Sequence, residues 1–160
     1  MVSARAVEIL RERGHDVELV IIGGRSEYLE REIASKKFIR LLPGISEEEK
    51  NEALCSAKAM VLPSSGETFS YASLEAMACG TPPVVSYAVP RDVVIHGYNG
   101  LRVESLNPVD YANTLEKLLR DEKLWVHIHQ NAMAYVRKLD YVEVAREYLE
   151  LVKEVVEVTG

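Results

Sequence analysis

Residues 63–85 read PSSGETFSYASLEAMACGTPPVV, and this stretch decides the fold. The apolar run Ala59 to Leu62 before it predicts a buried parallel strand, and Phe69 to Cys79 predicts a helix ended by a glycine. Glu67 precedes this helix and Glu75 falls in its second turn. Because the first amides of a helix lack internal partners and carry the positive end of its dipole, the junction predicts a phosphate site between two carboxylates.

Helices and strands alternate from the start of the chain through this junction to Ser86, and a short strand and three helices follow. The other predicted strands are Val17 to Ile22, Phe38 to Leu42, Pro83 to Ser86, and Leu101 to Val103. The other predicted helices are Ala4 to Arg13, Glu27 to Ser35, Glu47 to Ala57, Pro108 to Arg120, Glu122 to Lys138, and Tyr141 to Val158. This rhythm predicts an α/β fold: a Rossmann-like open, mostly parallel sheet with helices on both faces.

Composition narrows the class of protein. The 160 residues, 48% hydrophobic and 28% charged, suit one domain over 1–160. The net charge of −6 and the lack of a basic cluster argue against nucleic acid as a partner. No apolar run has the length of a transmembrane segment and the start does not resemble a signal peptide, so we expect a cytoplasmic location.

Histidines and cysteines give no sign of a metal centre. The four histidines are not at metal-ligand spacing. The two cysteines, Cys55 and Cys79, are expected to be reduced, partly buried thiols; a disulfide between them is the alternative, which nothing in the sequence supports.

Several loops are predicted to lie together at the edge of the sheet where its strands end. Ligands of open parallel sheets bind outside the carboxyl ends of the strands. Four loops follow predicted strands there: Gly23-Gly24, Pro43-Gly44, Pro63 to Ser70, and Ser86 to Gly97. This placement predicts a cleft beside the junction.

The same residues resemble a known family. Family 4 retaining glycosyltransferases carry an E-x7-E signature whose usual text is close to PS-x-x-EGFG-x-x-x-x-EAMA-x-G-x-PVV. The positions in register are Pro63-Ser64, Glu67, Phe69, Glu75-Ala76-Met77-Ala78, Gly80 and Pro82. The strand Val20 to Gly24 and the turn Gly97 to Leu101 are also similar. The resemblance runs from about Ala4 to about Tyr148 and implies the C-terminal donor-binding domain of a two-domain GT-B enzyme.

The resemblance implies a role for each site residue. Glu67 would face the donor sugar as the catalytic carboxylate, and Glu75 would bind the ribose of the nucleotide. The remaining donor-binding residues would be Thr68, Phe69, Ser70, Tyr71, Gly23, Gly24, Gly44 and Arg91. In this family a nucleoside diphosphate sugar is the donor, transfer needs no metal or other cofactor, and an N-terminal domain binds the acceptor.

The chain also departs from the family pattern. EGFG becomes Glu67-Thr68-Phe69-Ser70, and the glycines of GG-x-PE are replaced in Tyr87 to Asp92. The family's first strand, with its arginine and KG lysine, is not present, so we expect little or no transfer by these residues alone. Without that strand, Val17 to Ile22 should pair directly with Ala59 to Leu62, or the sheet should contain a gap.

Simpler interpretations remain open at several residues. Glu67 could be a loop carboxylate favoured only by the helix dipole, and Gly23-Gly24 could simply end a strand. Arg91 could be solvated or paired with a carboxylate such as Asp92. At the level of the chain, the alternatives are a non-catalytic nucleotide-sugar-binding subunit and a structural remnant without a ligand. No recognisable residues in the sequence identify the sugar, the nucleotide base or the acceptor.

Overall fold

A computed structural model describes residues 1–159, with side chains described through residue 156. These residues form five strands and seven helices, which alternate as far as β4; β5 and three consecutive helices follow. The strands are β1 (Leu19–Gly23), β2 (Ile39–Pro43), β3 (Met60–Leu62), β4 (Pro83–Ser86) and β5 (Leu101–Val103). The helices are α1 (Val2–Glu12), α2 (Glu27–Ile33), α3 (Glu47–Ser56), α4 (Tyr71–Ala78), α5 (Pro108–Arg120), α6 (Glu122–Arg137) and α7 (Tyr141–Thr159). The predicted α/β class is confirmed; one folding unit over 1–160 stays a prediction.

The sheet is divided into two parallel pieces. One piece pairs β1 with β2, and the other has the order β3-β4-β5. In the doubly wound order 3-2-1-4-5-6, these strands fill every position except the central one. Of the two outcomes expected from the sequence, the gap is therefore the one observed, and β1 does not pair with β3.

One hydrophobic core joins both pieces. Helices α1 and α5 pack against each other, and their buried side chains meet those of β4 and β5. Val17 beside β1 and Val61 of β3 pack against this same cluster. A second cluster lies under α4 and α6 and includes Met77, Val85 and Ala132. Both faces of the three-stranded piece are thus covered, as a parallel sheet requires.

Local sequence signals explain where several helices begin. Ser46 caps α3 through a capping box, in which its side chain accepts from the Glu49 amide and the Glu49 side chain accepts from the Ser46 amide. Helix α5 begins with Asn107 as cap and Pro108 in its first turn. The motif helix α4 begins at Tyr71, two residues later than predicted, because Ser70 adopts a left-handed conformation.

The two cysteines are joined, so the expectation of reduced thiols was wrong. A disulfide links Cys55 near the end of α3 to Cys79 just after α4, with the two Cα atoms 4.7 Å apart. Helices α3 and α4 lie side by side and bring these helix ends together within bridging distance. Their separation of 24 positions in sequence gave no indication of this contact.

The last helix does not bury its apolar face against the domain. Apolar residues of α7 recur at helical spacing, which predicts a packing face, yet Tyr141 is 81% exposed, and Tyr148 and Leu149 are exposed as well. Among the described helices, none combines the length and the apolar character needed to cross a membrane.

We predict that Gly80→Ala lowers the free energy of unfolding by about 2–4 kcal/mol, from left-handed strain plus overpacking. Gly80 has φ +73°, and an added Cβ would clash with the His129 ring. That ring cannot retreat freely, because it stacks on Trp125 and its Nδ1 hydrogen-bonds the Gly80 carbonyl.

Urea denaturation measures the change, with Gly14→Ala as the matched control. Gly14 also has positive φ but no atom within 4 Å of its added Cβ. Gly14→Ala should therefore lower the free energy of unfolding by only about 1 kcal/mol, because of the backbone strain. Equal costs at the two glycines would contradict the packing argument.

Candidate functional site

The loop between β3 and α4 is held at the edge of the sheet by hydroxyl groups. The Ser86 hydroxyl, at the end of β4, donates to the Ser64 carbonyl at 2.6 Å. The Ser64 hydroxyl donates to the Gly66 carbonyl at 2.9 Å and accepts from the Gly66 amide at 3.3 Å. These bonds fix residues 64–66 of the loop, so Glu67 directly follows a constrained turn.

Helix α4 begins without a side-chain cap. Ser70 is the N-cap residue, with φ 72° and ψ 65°, and it is the only residue other than glycine with positive φ among residues 1–159. Its buried hydroxyl bonds the Ser73 hydroxyl at 2.7 Å and so does not cap the helix. The Ser73 and Leu74 amides donate to the Ser70 carbonyl, so the first-turn amides that remain for an anion are those of Tyr71 and Ala72. The family's text has glycine where Ser70 stands, at the position that requires left-handed backbone.

Glu67 and two aromatic residues surround this helix start. The Glu67 side chain is partly exposed and has no ion-pair partner among the described residues. Phe69 and Tyr71 are both exposed and contact each other edge to face, with ring centroids 5.2 Å apart. Of the residues predicted at the junction, Thr68, Phe69 and Tyr71 are exposed and Glu67 is partly exposed, whereas Ser70 is buried.

Glu75 has a partner that the sequence analysis missed. The ammonium of Lys50 on α3 lies 2.9 Å from Oε1 of Glu75 and 2.6 Å from Oε2 of Glu47. These hydrogen bonds, first to Glu47 and then to Glu75, raise the pKa of Lys50. Glu75 is 42% exposed, so it is less buried than its apolar neighbours in sequence implied. A sequence signal did exist, because Lys50 is the only cation in the acidic helix α3.

The loop after β4 depends on a second residue that was missed. Arg102, in β5, is buried, and its guanidinium donates to the carbonyls of Val89 at 2.8 Å and Tyr87 at 3.1 Å. Its Nε lies 3.7 Å from a carboxylate oxygen of Glu104. The signal was a charged residue in the middle of the three-residue strand Leu101–Val103.

Arg91 is exposed on this same loop. Its side chain is 78% exposed, and it contacts Glu104 at 3.3 Å. The structure thus pairs it with Glu104 and not with Asp92, the example considered from sequence. It has no described contact with the junction residues.

The remaining predicted residues lie on the other piece of the sheet. Gly23 and Gly24 lie where β1 ends, and Gly44 follows β2 with φ 62°. A cavity of about 660 Å³ separates β1 from β3, and Lys50 and Glu75 contribute to its wall. The predicted site is therefore distributed over two sheet pieces, with the carboxylates on one and the glycine loops on the other.

Fold and site together define a doubly wound α/β domain with an accessible helix start that lacks a side-chain cap and lies beside two carboxylates. Residues 1–121 match the family model described as "Glycosyl transferases group 1". The chain belongs to this glycosyltransferase family, as the sequence motif predicted.

Curated relatives agree on the class of enzyme. The D-inositol 3-phosphate glycosyltransferase of Frankia alni is 35% identical over 130 residues, which cover 72% of this chain and 32% of that protein. The enzyme of the same name from Corynebacterium jeikeium is 30% identical over 166 residues, covering 96% and 40%. The chain thus spans about a third of one of these relatives and two fifths of the other.

Solved structures show the same fold. HepE of Anabaena, crystallised with UDP-glucose, superposes with a TM-score of 0.81 at 20% identity and covers 96% of this chain and 44% of that one. Sucrose-phosphate synthase from Thermosynechococcus elongatus gives a TM-score of 0.78 at 23% identity, covering 98% and 43%. Both likenesses establish the GT-B type of architecture.

In the part of the chain that the structure describes, no group of three or more histidine, cysteine or acidic side chains could hold a metal ion. Metal-independent chemistry stays a prediction from the family resemblance.

We predict that Ser70→Gly is more stable than Ser70→Ala by about 1 kcal/mol, because only glycine relieves the left-handed strain. Both substitutions delete the hydroxyl that bonds Ser73, so the lost hydrogen bond cancels in the comparison. Thermal unfolding of the two variants gives the difference. Equal stabilities would show that residue 70 does not hold this conformation in solution.

We predict that Arg102→Met lowers the free energy of unfolding by about 2–4 kcal/mol, because several buried carbonyls lose their donor. The matched control is Arg91→Met, since Arg91 is exposed and contacts the same Glu104. That substitution should change stability by less than about 0.5 kcal/mol. Similar effects of the two substitutions in urea denaturation would refute the role given to Arg102.

Proposed function

We propose that residues 1–160 form the donor-binding part of a retaining glycosyltransferase that uses a nucleoside diphosphate sugar. One observation carries the proposal: the start of α4 has no side-chain cap and is bordered by Glu67 and Glu75 in a chain of the glycosyltransferase family. A diphosphate is the ligand for which unpaired helix amides are suited.

The diphosphate would lie against the backbone of the junction. Amides of residues 68–71 would donate to phosphate oxygens, and the helix dipole would offset their charge. The left-handed conformation of Ser70 would turn these amides toward the ligand. The Ser70 hydroxyl bonds that of Ser73 and would not lie between the amides and the phosphate. Phosphate binding at this point needs no metal ion, although it does not exclude one.

Glu67 is proposed as the catalytic carboxylate. It has no ion-pair partner among the described residues, so its acceptor oxygens are available to donor-sugar hydroxyls. A carboxylate beside the anomeric carbon also stabilises positive charge that develops there as the leaving diphosphate departs. The product would retain the anomeric configuration, as the resemblance implies.

Glu75 is proposed to bind the ribose of the nucleotide. Lys50 occupies Oε1 of its carboxylate, which leaves Oε2 as an acceptor for ribose hydroxyls. The ion pair would hold the carboxylate in one orientation before the ligand arrives. Lys50 is thereby a positioning residue for this contact.

The loops on the other strands would complete the donor site. Gly23 and Gly24 allow close approach of backbone to ligand at the end of β1, and Gly44 does so after β2, beside the nucleotide base. Arg91 would have to exchange its exposed contact with Glu104 for a phosphate.

Acceptor binding is proposed to reside elsewhere. The chain covers 32% and 40% of two curated relatives, and the acceptor would bind to an N-terminal domain or a separate subunit. Nucleic acid is not proposed as a partner. A cytoplasmic location remains the proposal made from sequence.

A non-catalytic subunit that binds a nucleotide sugar is the second candidate function. The observation in its favour is the replacement of family glycines by Thr68 and Ser70, which restricts the backbone at the phosphate site. A structural remnant without any ligand is the further alternative left by the sequence.

Calorimetric titration of residues 1–160 with UDP, GDP and ADP tests the site. We predict binding of at least one diphosphate. Glu75→Gln should weaken this binding by about tenfold, because the complex loses one hydrogen bond to a charged group. Glu67→Gln should change it by less than about threefold, because that side chain faces the sugar.

Glu147→Gln, on the exposed helix α7, serves as the neutral control. Absence of heat with all three nucleotides would favour the structural remnant. Equal weakening by Glu75→Gln and Glu147→Gln would remove Glu75 from the proposed site.

A further inference from the structure

Helix α3 has little packing to hold it in place. None of its residues is buried, whereas α4 buries Ser73, Ala76 and Met77, and Met77 belongs to the second core cluster. A surface helix is normally positioned by an apolar face that packs on the core. Because α3 has no buried face, its position depends on a few specific connections.

Three connections join α3 to α4 and to the turn after α4. One is a hydrogen bond at 2.6 Å, which the Thr81 hydroxyl donates to the Leu54 carbonyl. The second is the ion pair of Lys50 and Glu75, and the third is the disulfide. A partly exposed ion pair contributes little on its own, so the covalent disulfide is the strongest of the three.

The disulfide lies about one helical turn from the ion pair. Cys55 follows Lys50 by five positions on α3, and Cys79 follows Glu75 by four positions on α4. At about 1.5 Å per residue, these intervals correspond to roughly 6–8 Å along each helix. Opening the disulfide would therefore leave only polar contacts to hold α3 beside the Glu75 carboxylate.

Helix α3 also forms part of the wall of the cavity between the two pieces of the sheet. Lys50, Ala53 and Leu54 line this cavity of about 660 Å³, as does Glu75 from α4. A shift of α3 would thus change the shape of the cavity and the orientation of the Glu75 carboxylate together. The disulfide controls whether such a shift can occur.

The sulfur of Cys55 is the accessible end of the disulfide. Cys55 is exposed in the last turn of α3, and Cys79 is partly exposed at the C-terminal end of α4. Helix C-termini carry the negative end of the dipole, which disfavours a thiolate. Neither cysteine is therefore activated as a nucleophile, so the thiolate that opens the disulfide must come from another molecule.

We propose that the Cys55–Cys79 disulfide is a thiol–disulfide exchange site through which a dithiol regulates the donor site, an inference that rests on the proposed function. The oxidised chain holds Glu75 ready for the ribose. Reduction releases α3 and weakens nucleotide binding. In the cytoplasm, the location proposed above, disulfides are usually reversible, and reversibility is what a regulatory bond requires.

Each disulfide consumes one dithiol. One thiolate of the dithiol attacks the Cys55 sulfur, the S–S bond breaks, and the Cys79 sulfur leaves as a thiolate that takes up a proton. The second thiol of the dithiol then attacks the dithiol's own sulfur in the mixed disulfide and releases Cys55 as the second thiol. Two electrons and two protons pass to the protein, and the dithiol is oxidised to a disulfide.

Calorimetric titration of residues 1–160 with UDP, GDP and ADP, before and after reduction with dithiothreitol, tests the proposal. A thiol count confirms the redox state of each sample. Reduction should weaken binding by about fivefold, less than the tenfold expected for Glu75→Gln, because the carboxylate remains but is less well oriented. The control Cys55→Ser should bind as the reduced chain does, with or without dithiothreitol.

Two further measurements separate regulation from a purely structural disulfide. In Glu75→Gln, reduction should change the affinity by less than about twofold, because no carboxylate remains to be positioned. Amide hydrogen exchange at residues 53–56 of α3 should become about tenfold faster on reduction, whereas exchange in α5 should not change.

Binding of equal affinity before and after reduction would overturn this inference alone and make the disulfide purely structural. Equal weakening by reduction in the unaltered chain and in Glu75→Gln would overturn it as well. Unchanged exchange in α3 would overturn it without reference to any nucleotide. Absence of binding in both redox states would instead refute the proposed function, and this inference with it.

Discussion

The parallel pairing of β3, β4 and β5 is the constraint on which the candidate site depends, because parallel strands deliver their following loops to the same edge. Two interactions then fix those loops. The Ser86 hydroxyl, at the end of β4, hydrogen-bonds the start of the motif loop. The buried Arg102 side chain donates hydrogen bonds to carbonyls of the loop after β4. A buried guanidinium is tolerated only when such partners compensate its lost hydration. The accessible helix start therefore rests on polar interactions that lie beneath it.

Helix α3 positions the carboxylate of Glu75. The Lys50–Glu75 ion pair and the Cys55–Cys79 disulfide both connect α3 to α4, one near the middle of α4 and one just beyond its end. Two connections at different points resist both sliding and rotation between the helices, so the Glu75 side chain is held relative to the helix start. A carboxylate that is already oriented loses less entropy when it binds a ribose.

Sequence predicted the fold closely because its signals were local or periodic. The capping box at Ser46, the glycine after α4 and the apolar strands all act over a few residues, and each lies where predicted within about two positions. The missed features are contacts between distant residues: Lys50 with Glu75 and Cys55 with Cys79. Such contacts depend on how helices pack, and neither spacing nor composition determines that. The exposed face of α7 illustrates the same limit, since periodicity identifies an apolar face but not what covers it.

The division of the sheet also bears on the donor site. Gly23, Gly24 and Gly44 belong to the piece with β1 and β2, whereas Glu67 and Glu75 belong to the piece with β3. A ligand that contacts both sets must span the cavity between β1 and β3, so its affinity depends on the distance between the two pieces of the sheet. An interaction that fixes this distance would favour nucleotide binding, and by linkage the nucleotide would favour that interaction.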